Sequence, residues 1–435
     1  MDMNAGARSG QGRILVDVTE TIGFDLRTGI QRVVRELLKH GIAGAASRPV
    51  IPVMAAGNRF HELSEAGWAR LHSPGTGGAG GQRAEQAQAG IMRLIKRVAT
   101  MSPQLYDFLQ RTYNNALFRR RAAAFRAPEP IRITPGDNIL LADSFWGGTP
   151  TLKAAGRAKA QGARVSLVAY DLIPFTHPQF CDARLTENYR RLMRRAVALS
   201  DRVFAISNDC ATAFRMQFPA ADVSAFRLGH DIHLEKAEAS VEPVWPEELW
   251  TGPGRVFVIV GSIEPRKGHC TVLDAFERRW ARGEPDKLLI IGKVGWQVDD
   301  LIERIERHAE VDRRLFRIHN ANDAMLKQAL ERSSAGIIAS YIEGFGLPLA
   351  EGLSAGLPMV ASDIAVFHEI AGERAVYFTP GDAAALDGAL DLLHRRFAEK
   401  TRAAAEFTWP DWREAAEDFF ARVEGRALPT AHRLS

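Results

Sequence analysis

A chain of 435 residues is longer than one typical domain and suits two of about 150–200 residues each. With 46% hydrophobic and 25% charged residues, its composition is neither fibrous nor disordered. The net charge of +4 is too small for the dense basic footprint of a duplex binder, so no nucleic-acid partner is expected.

The three cysteines, Cys181, Cys210 and Cys270, are scattered and indicate neither a disulfide framework nor a zinc site. Met1–Gly12 is polar and lacks the apolar core of a signal peptide. No run of about 18 apolar residues occurs. The expected compartment is the cytoplasm.

Arg13–Val18 (RILVDV) is predicted as a buried strand. After a loop over Thr19–Thr28, Gly29-Ile-Gln-Arg32 opens a helical pattern through Ile42, with Val33, Val34, Leu37 and Leu38 on one face. Strand, glycine-bearing turn and helix begin an α/β unit, and Arg48–Val53 is the next strand. The alternation then stops from Asn58 to Pro130. Ser73–Gly81 is low in complexity. Ile91–Arg126 is helical in composition and carries eight Lys and Arg against one Asp, with Pro103 as a break. Its apolar residues, among them Leu94, Ile95, Val98 and Met101, recur near helical spacing. Such a basic amphipathic segment suits an anionic membrane surface. Packing on the N-terminal domain and a homo-oligomer contact are the alternatives.

Strands resume at Asn138–Ala142, Arg164–Ala169 and Arg202–Ile206, with a helix over Asp182–Leu199. Short apolar runs of this kind are buried on both faces of parallel sheets. His230–Trp250 is charged, contains proline and reads as a linker. A second strand series follows at Val256–Val260, Leu288–Ile291, Leu315–Ile318, Gly336–Ala339, Met359–Ala361 and Ala375–Phe378. The architecture repeats: one doubly wound parallel sheet, then another.

The block Gly261-Ser-Ile-Glu-Pro-Arg-Lys-Gly268 directly follows a strand and precedes a helix. It puts Arg266 and Lys267 at a strand C-terminus, the edge where open α/β sheets bind ligands. Paired cations there would stabilise charge growing on a diphosphate leaving group. A solvated pair in a turn is the plain alternative. The second block is Ser340-Tyr-Ile-Glu343-Gly-Phe-Gly-Leu-Pro-Leu-Ala-Glu351-Gly. Gly344 and Gly346 let backbone approach a ligand, and Pro348 suits the first residue of a helix. Free N–H groups at that helix end suit phosphate oxygens, and a carboxylate suits paired sugar hydroxyls. A helix with acidic residues in its first turn is the alternative here.

The order EPRKG, then GKxGW at Gly292–Trp296, then EGFGLPLAE resembles the retaining glycosyltransferases of family 4. Glu343 and Glu351, with seven residues between them, match that family's glutamate pair. The likeness covers 255–407 well. It is weaker at Thr28–Arg32, Tyr170–Pro174 and Ala205–Asn208, and it leaves 58–130 uncovered as an insertion. It implies a GT-B fold: two Rossmann-like doubly wound domains facing a cleft, with a helical insertion in the first. The implied division is an acceptor domain over 1–230, a linker over 231–250, a nucleotide-sugar domain over 251–408, and a helix and tail over 409–435 crossing back.

The resemblance implies that Arg266 and Lys267 hold the donor diphosphate, that Glu351 binds ribose hydroxyls, and that Glu343 touches the transferred sugar. The backbone of Gly344, Phe345, Gly346 and Leu347 would lie beside the sugar and phosphates. Gly29 and Ser262 would border the donor, and Asp171 would face the sugar or acceptor hydroxyl. Glu343, Asp171, Arg266 and Lys267 are therefore the expected catalytic set. Tyr170 stands where many relatives have histidine, so no histidine role carries over there, and nearby His177 is better read as solvated. No Asp-x-Asp loop follows a strand, and Asp299-Asp300 reads as a charge pair opening a helix, so neither a metal nor a cofactor is expected.

The implied activity is retaining transfer of a hexose or deoxyhexose from a nucleotide sugar to a glycan hydroxyl. The resemblance leans towards GDP-mannose or sugars derived from it, in bacterial surface polysaccharide assembly. The acceptor would be a growing glycan, lipid-linked or free, which would make a peripheral place at the inner membrane face useful. The competing readings are an epimerase or hydrolase of the same architecture, and an inactive nucleotide-sugar-binding protein.

Overall fold

The computed structural model describes residues 12–24, 28–72, 122–147, 150–230, 245–319, 321–397 and 407–427. Two sheets organise them. The first contains β1 (Ile14–Asp17), β2 (Val50–Ala56), β3 (Arg59–Glu62), β4 (Asn138–Leu141), β5 (Arg164–Ala169), β6 (Arg202–Ala205) and β7 (Val223–Ala225). Their spatial order is β3-β2-β1-β4-β5-β6-β7, parallel except for the antiparallel β2–β3 pair. The second contains β8 (Val256–Val260), β9 (Lys287–Ile291), β10 (Leu315–Ile318), β11 (Ala335–Ile338), β12 (Met359–Ser362) and β13 (Ala375–Phe378). Its order is β10-β9-β8-β11-β12-β13, all parallel. Runs such as Val-Phe-Val-Ile at β8 are buried on both faces because helices cover both sides of the sheet.

In each sheet the chain reverses its winding direction once, between β1 and β4 and between β8 and β11. The C-terminal ends of these four strands therefore open onto the two crevices where such folds place ligands.

Two strands were not predicted. β3 is a four-residue edge strand, Arg-Phe-His-Glu, and β7 is Val-Ser-Ala. Both are too short to carry a period. The chain after the 73–121 stretch is tied back to β3: Ala127 donates to the Glu62 carbonyl at 2.8 Å and Ile131 to that of Phe60 at 2.9 Å. Most of the basic Ile91–Arg126 segment, up to residue 121, lies outside the described residues. The stretch expected as a loop over Thr19–Thr28 contains a short buried helix, Thr19–Phe24. The next helix runs Gly29–His40 and gives way to a wider turn at Gly41–Ala45, slightly earlier than the pattern through Ile42 suggested.

The helix Trp412–Glu424 follows the second sheet in sequence but packs on the first. It is capped by Asp411, which accepts from Glu414 N–H at 2.8 Å. Phe419 meets Phe204 and Phe226 with centroids 5.5 and 4.6 Å apart. Glu424 accepts from the Ser47 and Arg48 N–H groups, both at 2.9 Å. Beyond 231–244, Leu249 is wholly buried and Trp245 donates to Gln328 at 2.9 Å, so 245–250 packs on the second unit. Among the described residues, no helix is long and apolar enough to cross a membrane.

Candidate functional site

The site grows from the ends of β8 and β11. After β8 the backbone stays registered with the chain beyond β9: Gly261 donates to the Ile291 carbonyl at 2.9 Å and Ile263 to that of Lys293 at 2.8 Å. Pro265–Lys267 then form a single tight turn. Gly268 closes it at φ 69°, where a Cβ would lie 2.1 Å from the Ala339 carbonyl oxygen, so only glycine fits. The helix His269–Ala281 begins there. The Arg266 carbonyl accepts from Tyr341 N–H at 2.8 Å, which locks this turn to the loop after β11.

That lock brings Arg266, Lys267 and Glu343 together. Arg266 Nη1 lies 2.8 Å from Glu343 Oε2, and Lys267 Nζ pairs with Glu343 Oε1. Ser340 Oγ donates to the same carboxylate at 2.8 Å. Glu264 takes Arg266 Nε at 3.1 Å and also accepts from Ser262. Burial acts to raise the Glu343 pKa, but Arg266 and Lys267 overcome it and hold the carboxyl at about 2. Burial lowers the Lys267 pKa, with Glu343 acting against it.

The first domain supplies the facing wall. Asp171 follows β5, and burial raises its pKa, with Arg266 opposing and Glu343 reinforcing the rise. The two domains touch here. A Cβ on Gly344 would sit 1.9 Å from the Tyr170 carbonyl oxygen, and Ser207 Oγ donates to the Gly344 carbonyl at 2.7 Å. Gly346 leads into the helix Leu347–Ser354 and lines a pocket with Lys267, His269, Ser340, Glu343 and Pro348. The Phe345 ring is turned into the core against Trp409, so only its backbone faces this region.

The two glutamates are divided. Glu351 is buried and pairs with Arg32 Nη1 of the first domain at 2.5 Å. Arg32 sits one turn into the helix that Gly29 opens, and a Cβ added at Gly29 would meet no atom outside its own helix and chain neighbours within 4 Å among the described residues. Tyr170 is structural: its buried hydroxyl donates to the Ala142 carbonyl at 2.6 Å. His177 bonds its neighbour Thr176 at 2.9 Å.

Sequence reasoning missed three features. Arg32 lies inside the Thr28–Arg32 block but carries no local sign of its partner. His269 is buried beside Lys267, and neither ring nitrogen finds a hydrogen-bond partner among the described residues. Burial, with Lys267 adding, lowers its pKa to about 3, so the ring is neutral. The third is a buried carboxylate group at the β1–β4 crevice: Asp17, Glu20 and Asp143. Asp17 accepts from Thr151 at 3.1 Å, Glu20 from Gly147 N–H at 2.9 Å, and Asp143 from Thr21 N–H at 2.6 Å. Burial and then Asp143 push both Asp17 and Glu20 up to about 8. No group of three or more His, Cys, Asp or Glu among the described residues is placed to hold a metal ion.

Residues 246–406 match the family model described as glycosyl transferases group 1. Over 426 residues the chain is 28% identical to the serotype-specific mannosyltransferase WbdA of Escherichia coli, covering 93% of this chain and 44% of that protein. It thus spans less than half the length of these curated relatives. Over 214 residues, 45% of this chain and 53% of the other, it is 30% identical to the phosphatidyl-myo-inositol mannosyltransferase of Mycobacterium leprae (strain TN). Among solved structures, Anabaena HepE in complex with UDP and glucose superposes with a TM-score of 0.56 at 15% identity, over 95% of each chain. Sucrose-phosphate synthase from Thermosynechococcus elongatus gives 0.56 at 18% identity, over 95% of this chain and 97% of that one. These likenesses show the fold: two Rossmann-like domains in the GT-B arrangement.

Proposed function

From a chain whose residues 246–406 form a group 1 glycosyl transferase domain, we propose a retaining transferase that moves a sugar from a nucleoside diphosphate to a hydroxyl of a bacterial surface glycan. The observation that carries this reading is the Arg266–Lys267–Glu343 group at the β8–β11 crevice, with Asp171 facing it from the other domain. Two partly buried cations are suited to the charge that develops on a departing diphosphate. An incoming diphosphate competes with Glu343 for them, and the released carboxylate turns to the hydroxyls of the transferred sugar. Glu351 recognises the ribose diol. Ser262, Gly29 and the backbone from Gly344 to Leu347 border the donor, with the start of the following helix near its phosphates. Asp171 meets the sugar or the acceptor hydroxyl.

The relatives named as mannosyltransferases support mannose or a related sugar as the group transferred, and GDP is the carrier in this reading. No cofactor or metal takes part, since the positive charge is supplied by side chains. A lipid-linked acceptor and contact of Ile91–Arg126 with an anionic membrane complete the proposal. The test is release of nucleoside diphosphate from GDP-mannose and other nucleotide sugars, with and without an oligosaccharide acceptor and EDTA, with the product anomer read by NMR. Acceptor-dependent release that survives EDTA and keeps the donor's anomeric configuration is expected. Release indifferent to acceptor would point to hydrolysis, and an inverted product would refute retention.

A further inference from the structure

Sugar transfer requires an acceptor ring held beside Asp171 and Glu343, and none of the residues assigned so far grips one. Three aromatic side chains stand where that ring would enter. Trp296 follows β9 in the loop after Gly292 and is 40% exposed, although tryptophan has much apolar surface to hide. Its indole N–H donates across the domain boundary to the Phe180 carbonyl at 3.1 Å. The edge of the indole is thereby anchored while much of the ring system meets solvent. The loop beneath it is firm, since Gly295 donates to the Ile263 carbonyl at 2.9 Å, next to the Glu264–Lys267 stretch.

Phe180 ends the short turn Pro178–Phe180 on the loop that follows Asp171. Its ring lies 5.2 Å from that of Tyr341, and the His177 ring stacks at 6.3 Å. Tyr341 is two residues before Glu343, and its N–H bonds to the Arg266 carbonyl. The next residue after Phe180, Cys181, is near the reacting groups: burial raises its thiol pKa, Asp171 adds to the rise and Arg266 opposes it. The aromatic cluster therefore joins the acidic and basic groups of the site to its solvent-facing rim.

A pyranose carries hydroxyls around its perimeter and a patch of C–H bonds on its face. The electron-rich face of an aromatic ring attracts the weakly positive C–H groups, and contact removes apolar area from water on both sides. Among aromatic side chains, tryptophan offers the largest such face. We propose that Trp296, anchored to the Phe180 carbonyl beside the Phe180–Tyr341 ring pair, is the platform on which the acceptor saccharide stacks, with its attacking hydroxyl turned towards Asp171. This rests on the glycosyl-transfer reading above and extends it to the second substrate.

The test is saturation-transfer NMR with methyl α-mannobioside, which needs no donor, on wild type, Trp296→Ala and Trp296→Phe. The exposed position of Trp296 favours both variants folding, and GDP binding by calorimetry checks the donor site in each. Saturation of the C–H protons of one ring is expected in wild type. The dissociation constant should rise about tenfold in W296A, equal to about 1.4 kcal/mol, and stay within about threefold of wild type in W296F. GDP affinity should be the same in all three. No saturation in wild type, an unchanged dissociation constant in W296A, or loss of GDP binding in step with it overturns the platform. A chain that holds the disaccharide through Trp296 yet releases no diphosphate from any nucleotide sugar refutes the transfer reading and leaves the platform standing.

Discussion

Glu343→Gln removes one negative charge and keeps the side chain's size. The carboxylate is buried between Arg266 and Lys267 and takes a third bond from Ser340. Burial raises its pKa, yet the two cations hold it at about 2 against an ordinary 4.5. At neutral pH that difference is ~3 kcal/mol of pairing. It agrees with the about 3–5 kcal/mol lost when one partner of a buried ion pair is removed. At roughly 2–4 °C per kcal/mol for a domain of ordinary size, E343Q should melt ~6–12 °C below wild type in nucleotide-free buffer. The folded pKa is depressed, so the stabilisation is complete above about 4.5 and is lost as the pH falls towards 2. The gap between the two proteins should close over that window. A nucleoside diphosphate restores negative charge beside the two cations left unneutralised, so GDP should raise the melting temperature of E343Q more than that of wild type. Scanning fluorimetry from pH 7 down to pH 3, with and without GDP, measures both effects. Equal melting temperatures at pH 7, or a GDP shift no larger in E343Q, would refute the reasoning.

Arg266→Ala and Lys267→Ala should each lower turnover by about 10²–10³, the usual cost of one preorganised charge contact; near-normal rates in both would remove them from the diphosphate site. Glu351→Gln should weaken binding of bare GDP in calorimetry about tenfold, whereas E343Q should not, and equal loss in both would contradict the division of the two glutamates. Asp17 is held at about 8 by burial and then by Asp143, so the folded state keeps a proton that the unfolded state gives up near 4. Stability should therefore fall as pH rises from about 4 to about 8, and Asp17→Asn should flatten that slope. A melting-temperature profile of D17N parallel to wild type would show that Asp17 does not titrate there.

The parts of the fold legible in sequence were those whose signal is local. β8 reads directly from Val-Phe-Val-Ile-Val, and the turn after it from Pro265 and Gly268, because strand, turn and helix are contiguous. β3 and β7 were not legible, since a four-residue edge strand and a three-residue one take their identity from the neighbour they pair with. The same rule separates the site residues. Arg266, Lys267 and Glu343 each lie within a few residues of a strand end, and the two loops they occupy meet because β8 and β11 are neighbours. Asp17 and Asp143 also meet at neighbouring strands, β1 and β4. Asp17, however, sits within an apolar run, and its periodicity gave no reason to separate it from the strand.

Arg32 and Glu351 illustrate what no local pattern supplies. They are 319 positions apart and belong to different domains. Their pairing exists only because the domains close, and other contacts accompany it at the same boundary. Ser207 holds the Gly344 carbonyl, Glu369 accepts from the Asn208 N–H at 2.9 Å, and Trp296 holds the Phe180 carbonyl. Each joins a residue near the C-terminal edge of one sheet to a loop or helix of the other. The helix Trp412–Glu424, returning from the second unit to pack on the first, keeps the two faces within reach of one another. Several of these boundary residues are the ones proposed to bind donor or acceptor. The proposed roles of Glu351 and Trp296 predict that substrate affinity and domain closure are coupled, because both side chains also bond across the domain boundary. The two glutamates are matched differently: Glu343 within its own domain, Glu351 by the opposite one.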